Sequence, residues 1–199
     1  MKLNAGKIKI GLEFPFFALA AYFLSGDMRK NFMFAVLFSL LHETGHVVSI
    51  ILSGGRITEI CTDVSGIRIN KSDSGMSYRS ECITALAGPF VNLIFVLIFS
   101  FIKSDNADIS LASDINLGLL LINLLPVRTL DGGRFVNNLL LLNLDCITVG
   151  HILRLTEIAV AVILIFTLVM TLIFNIVNTS FVFFVLMLEF MIVSGILKS

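Results

Sequence analysis

Residues 31–52 read NFMFAVLFSLLHETGHVVSIIL, an apolar run of the length a membrane helix needs, with ionisable groups set in its second half. His42 and His46 stand four residues apart, so a helix projects both from one face, one turn from each other. Glu43 follows the first of them, which completes the HExxH pattern of two metal ligands and a glutamate able to act on water. Each ionisable group in hydrocarbon costs about 2.5–3.5 kcal/mol on insertion scales. The bland reading, a chance histidine pair on a surface or core helix, leaves three such groups in the bilayer without a purpose.

The whole chain supports a membrane setting. Its 199 residues are 57% hydrophobic and 14% charged, with a mean hydropathy of +0.98. Soluble domains of this size do not have that composition. At about 20 residues per span, the apolar segments are 10–24, 31–52, 80–102, 114–144 (broken), 158–176 and 181–197. The expected fold is an all-α polytopic membrane protein of about six helices, with a small β-hairpin after the second. The only extended polar stretch is 53–78, so residues 1–199 read as a single membrane domain.

The net charge is zero but unevenly placed. With six spans, one side of the bilayer holds only Arg29, Lys30 and Lys103 of the fourteen basic residues. The positive-inside rule then puts both termini and the 53–78 stretch in the cytoplasm. The first segment also resembles a signal peptide, ending at Ala18-Leu19-Ala20, but removing it would make the span count odd. Cys61, Cys82 and Cys146 lack metal or disulfide spacing and read as reduced thiols. Phe supplies the aromatic bulk in a chain without Trp. There is no repeat and no basic patch for nucleic acid.

Two histidines under-coordinate a catalytic zinc, which takes three protein ligands and a water. Asp131 is the candidate third ligand. It lies in Asn123-Leu124-Leu125-Pro126-Val127-Arg128-Thr129-Leu130-Asp131-Gly132-Gly133, where Pro126 and the glycines break the fourth span. Irregular backbone at depth is tolerated when it is buried in protein or lines a polar cavity. The competing reading is a cytoplasmic loop between two short helices, with Asp131 as an N-cap.

Three motifs in order carry a family resemblance: HExxH at 42–46, Ala87-Gly88-Pro89-x-x-Asn92, and Asn-x-x-Pro-x-x-x-Leu-Asp-Gly at 123–132. Over about residues 31–138 the chain resembles the site-2 protease family of intramembrane zinc metalloproteases (peptidase family M50). Within that family it looks most like the branch that processes a sporulation sigma-factor precursor. The resemblance implies one Zn²⁺ held by His42, His46 and Asp131, Glu43 as catalytic base and acid, and Asn92 and Asn123 lining the substrate and oxyanion region. It implies a membrane-protein substrate and a membrane-bound regulatory or inhibitory partner, in a bacterial cell or forespore membrane. The family's Pro-x-Gly-Gly turn is replaced here by Asp63-Val64-Ser65-Gly66, and neither a PDZ-like nor a nucleotide-sensing CBS module is present.

Partial alternation over 55–70 reads as a hairpin, either a strand template for an extended substrate or a plain connector. His151 reads as an interfacial residue, and Glu189 in the last span has no assigned role. The chief competing function is a metal-ion or proton transporter using the same His/Asp/Glu cluster. It explains neither the glutamate beside His42 nor the Asn–Pro–Leu–Asp–Gly pattern. A catalytically silent scaffold is the third reading, against which the intact motif argues.

Overall fold

The computed structural model describes residues 2–5, 8–12, 29–55, 57–63, 66–71, 76–102 and 106–174, and helical positions between 182 and 193. Two compact units divide the chain, Met1–Ile122 and Asn123–Ser199.

The first unit opens with strands β1 (Lys2–Ala5) and β2 (Ile8–Leu12). Helix α1 (Arg29–Leu52) follows, then β3 (Ile57–Asp63) and β4 (Gly66–Lys71). The sheet order is β1-β2-β3-β4. β1 and β2 pair antiparallel, as do β3 and β4, whereas β2 runs parallel to β3, with Lys9 opposite Glu59 and Leu12 opposite Thr62. A parallel pair needs a long crossover, and α1 lies in that connection. The expected span over 10–24 is corrected at its start: Ile10–Leu12 belongs to β2, where Ile8, Ile10 and Leu12 alternate with Lys9 and Gly11. Residues 13–24 lie outside the described residues.

Helix α2 (Tyr78–Phe101) is capped by Ser77, whose Oγ accepts from the Ser80 amide. It packs along α1. The buried positions of α1 (Phe38, His42, His46, Ser49 and Ile50) recur at helical spacing and form one stripe. At one end of the stripe the Phe38 ring meets Phe95 and Phe99 edge-on, with centroids 5.3 and 5.9 Å away. Midway, the helices come close enough that a methyl on Gly45 would stand 2.7 Å from the Ala87 carbonyl oxygen. Small residues at such crossings are how membrane helices gain contact where lipid offers no hydrophobic drive. Beyond it, Ser49 Oγ donates to Thr84 Oγ1 at 3.2 Å.

Helix α3 (Ala107–Asn123) starts earlier than the hydropathy implies, between the expected spans 80–102 and 114–144. Asn106 Oδ1 accepts from the Asp108 amide, and Lys30 pairs with the Asp108 carboxylate at 2.9 Å. Capping therefore starts the helix before the apolar run does. Ala112, Asn116 and Leu120 form its buried line.

In the second unit, residues 124–130 are irregular and lead into α4 (Asp131–Leu140). Two short turns shape them, Val127 N–H to Leu125 O and Leu130 N–H to Val127 O, both 2.8 Å. A Cβ on Gly132 would strike the Leu124 carbonyl, and one on Gly133 the Val127 carbonyl, so the chain turns back on itself where only glycine fits. Helix α5 (Cys146–Ile173) is N-capped by Asp145 and reaches back well beyond the expected start at 158. His151, Arg154 and Glu157 are therefore helical. Glu157, 1% exposed, explains the difference: its Oε1 accepts from the Arg128 backbone N–H at 2.9 Å. Its Oε2 faces the Arg128 guanidinium at 3.7 Å, and Arg128 Nη2 donates to the Gly150 carbonyl at 2.7 Å. A polar residue that lowers hydropathy is here an internal anchor for the irregular segment.

Among the described residues, α1, α2 and α5 are long and apolar enough to cross a membrane. Much of their apolar surface is uncovered, such as Phe101 at 84% and Ile163 at 60%. Soluble monomers do not expose apolar surface on that scale. The expected last span falls partly outside the described residues. Within it Val185, Leu188 and Ile192 are buried helical positions.

Candidate metal centre

His42 and His46 lie at the centre of the α1 stripe, each 4% exposed. Their Nε2 atoms are 3.2 Å apart, with the rings crossing at 77°. Two nitrogens on a tetrahedral zinc, each about 2.0–2.1 Å from it, are separated by about 3.3–3.4 Å. The pair thus already has the spacing of two corners of such a site.

The facing helix supplies the rest of the cradle. Thr84, Gly88 and Asn92 recur every fourth residue, so α2 presents them on one face. The Thr84 carbonyl accepts from His46 Nδ1–H at 2.7 Å. A carbonyl can only accept, so this bond fixes the proton on Nδ1 and leaves Nε2 with its lone pair when the ring is neutral. Gly88 leaves an opening: a Cβ there would stand 2.5 Å from His42 Nε2 and against His46 Nε2 as well. The missing methyl is what lets both imidazoles lie this close to α2 with their Nε2 atoms side by side. Asn92, fully buried, places its side-chain amide 3.0 Å from His42 Nδ1. The donor set and its spacing fit zinc.

Glu43 sits beside His42 on α1 and is half-buried. In the second unit, Asp131 is the first residue of α4 and 6% exposed. It is not the N-cap: Leu130 holds that position, with no side-chain capping bond. Arg134, one turn on, donates from Nη1 to Asp131 Oδ1 at 3.3 Å. Asn123 ends α3 and is half-buried. Of the predicted site residues, His42, His46 and Asn92 meet within the first unit, with Glu43 on the same helix. Asp131 and Asn123 belong to the second. His151 is exposed on α5.

Sequence reasoning missed the parts played by Thr84, Gly88 and Glu157. The i, i+4, i+8 recurrence of Thr84, Gly88 and Asn92 was a usable signal. The bond through the Thr84 carbonyl was not, because every residue carries that group.

Residues 16–179 match the family described as Peptidase M50B-like. The chain belongs to that family. Membership makes it a metallopeptidase by descent, and the family's metal is zinc. No curated protein matches the chain. Among solved structures, its fold is similar to that of the Site-2 Protease from Methanocaldococcus jannaschii. The TM-score is 0.65 at 20% identity, over 98% of this chain and 94% of that one.

Proposed function

We propose that this M50B-like chain is an intramembrane zinc endopeptidase. In this reading His42, His46 and Asp131 hold one zinc ion, and Glu43 is the general base and acid. The observation that carries the reading is the pair of imidazole nitrogens 3.2 Å apart over the space left by Gly88. Family membership and the burial of all three ligand-type side chains support it.

Bound there, zinc supplies a water acidified to a pKa of about 7 and a Lewis acid for the scissile carbonyl. The chain does the remaining work. Glu43 takes a proton from the attacking water and returns it to the leaving amine. His46 is held in its ligand tautomer by the Thr84 carbonyl. Asp131 adds negative charge, and its buried setting keeps bulk water away. Asn123 donates its amide to the oxyanion that develops on the substrate.

The substrate is a membrane-embedded or membrane-associated protein, and the resemblance to the sporulation branch suggests a sigma-factor precursor. Six spans, both termini in the cytoplasm and a water entrance from that side complete the proposed topology. β4 lies at one end of the β1-β2-β3-β4 order, a position from which an extended substrate segment can be paired by strand addition.

Glu43→Gln keeps side-chain size and every ligand. Purified in detergent, this variant should hold as much zinc as the wild type and lose cleavage of a membrane substrate. Retained cleavage would sink the assignment of Glu43, and metal flux in liposomes without proteolysis would replace the enzyme with a transporter.

A further inference from the structure

His42 has a requirement that His46 has already met. To offer Nε2 to a metal, the neutral ring must carry its proton on Nδ1, and that proton needs an acceptor. The group at Nδ1 is the Asn92 side chain, 3.0 Å away. As placed, it turns its Nδ2 toward the ring, while its own Oδ1 is buried with no hydrogen-bond partner among the described residues. The two ends of a carboxamide are almost the same shape. A half-turn about the last side-chain bond brings Oδ1 onto the His42 Nδ1 proton without shifting any other group.

We infer that Asn92 is a positioning residue for the metal centre, presenting Oδ1 to His42 Nδ1–H and so directing the His42 Nε2 lone pair at the metal. The inference rests on the zinc reading of the site. It removes Asn92 from the oxyanion region, where the family resemblance had put it, and gives it to the ligand shell behind His42. The two histidines are then served from one face of α2 by two different acceptors four residues to either side of Gly88, a backbone carbonyl at Thr84 and a side-chain oxygen at Asn92. The backbone acceptor is indifferent to sequence, whereas the side-chain acceptor can be removed by one substitution.

Two substitutions of similar size separate an acceptor role from a donor role. Asn92→Asp retains oxygens and loses the amide donor, and Asn92→Leu loses both. Zinc affinity is read by competition with a chromogenic chelator on full-length protein in detergent at pH 8. Imidazole ¹⁵N shifts of His42 report where its proton sits. Asn92→Leu should bind zinc about 10–100-fold more weakly, the usual loss when a ligand's hydrogen-bond partner is removed. Asn92→Asp should stay within a few-fold of the wild type, with His42 Nδ1 protonated in the loaded form. If Asp weakens binding as much as Leu, the donor end is what matters and the proposal fails. It fails equally if Leu binds as the wild type does. A wild-type protein that takes up no zinc would overturn the metal reading along with it.

Discussion

Gly88→Ala tests the metal centre without touching a ligand. The added Cβ would stand 2.5 Å from His42 Nε2 and 2.7 Å from its Cε1, and against His46 Nε2, whereas ordinary contact begins at 3.4 Å. The His42 ring must therefore retreat by about 0.9 Å, several times the roughly 0.2 Å by which metal–ligand distances depart from ideal values. Both rings are pressed at once, and neither has room within the packed α1–α2 stripe. Zinc affinity should fall by more than about 100-fold, beyond the range for losing a second-sphere hydrogen bond. Overpacking of the helix pair adds a stability cost of about 1–3 kcal/mol. Gly118→Ala is the matched control: nothing lies within 4 Å of its Cβ position, so it should bind zinc normally and gain about 0.4–1 kcal/mol. Chelator competition reads the affinity, and thermal unfolding of the same samples reads the fold. A folded Gly88→Ala protein with wild-type zinc affinity would refute the assignment of His42 and His46 as a metal-holding pair.

Two further predictions concern the second unit. Glu157→Ala leaves the Arg128 N–H and guanidinium without their carboxylate and should cost about 3–5 kcal/mol, with faster proteolysis within residues 124–130. Glu157→Gln keeps an acceptor for the Arg128 N–H and should cost less; equal stability of wild type and Ala would contradict the anchoring role. At the start of α5, the Asp145 carboxyl is held below its ordinary 3.8 by the Thr148 hydroxyl first, with the Thr148 and Ile147 amides adding to it. A lowered folded value means this stabilisation is complete above the ordinary carboxylate range and is lost as pH falls through the folded value. Asp145→Ala should therefore destabilise α5 at neutral pH, and the gap to wild type should close in acid. A gap that does not change with pH would count against the charged cap.

The central features were legible because periodicity and chemistry coincide in them. Phe38, His42 and His46 carry helical spacing and the metal motif in the same residues, and Pro126 with Gly132-Gly133 marks the break before Asp131. Element starts were hidden where polar residues serve structure. Asp108 is capped and paired, and Glu157 anchors Arg128, yet both lower hydropathy and shift the apparent helix start. The β2 strand was concealed differently: Ile8, Ile10 and Leu12 alternate in the sense of a strand but run directly into an apolar segment, so a long averaging window merges the two. The hydrogen bond from His46 to the Thr84 carbonyl leaves no mark in the sequence.

The closeness of α1 and α2 bears on how a substrate gets in. At Gly45 the gap between the helices is too small for a single methyl group, and at Gly88 it is filled by the histidine rings. Among the described residues, the seam at these two points leaves no room for a third polypeptide segment. Both histidine rings face α2, so in the proposed protease a peptide would have to approach them along a flank of the helix pair, and the seam is then a closed wall of the site. Substitutions that alter which peptides are cut should then map to other walls, and those along the seam should change whether the metal is held at all.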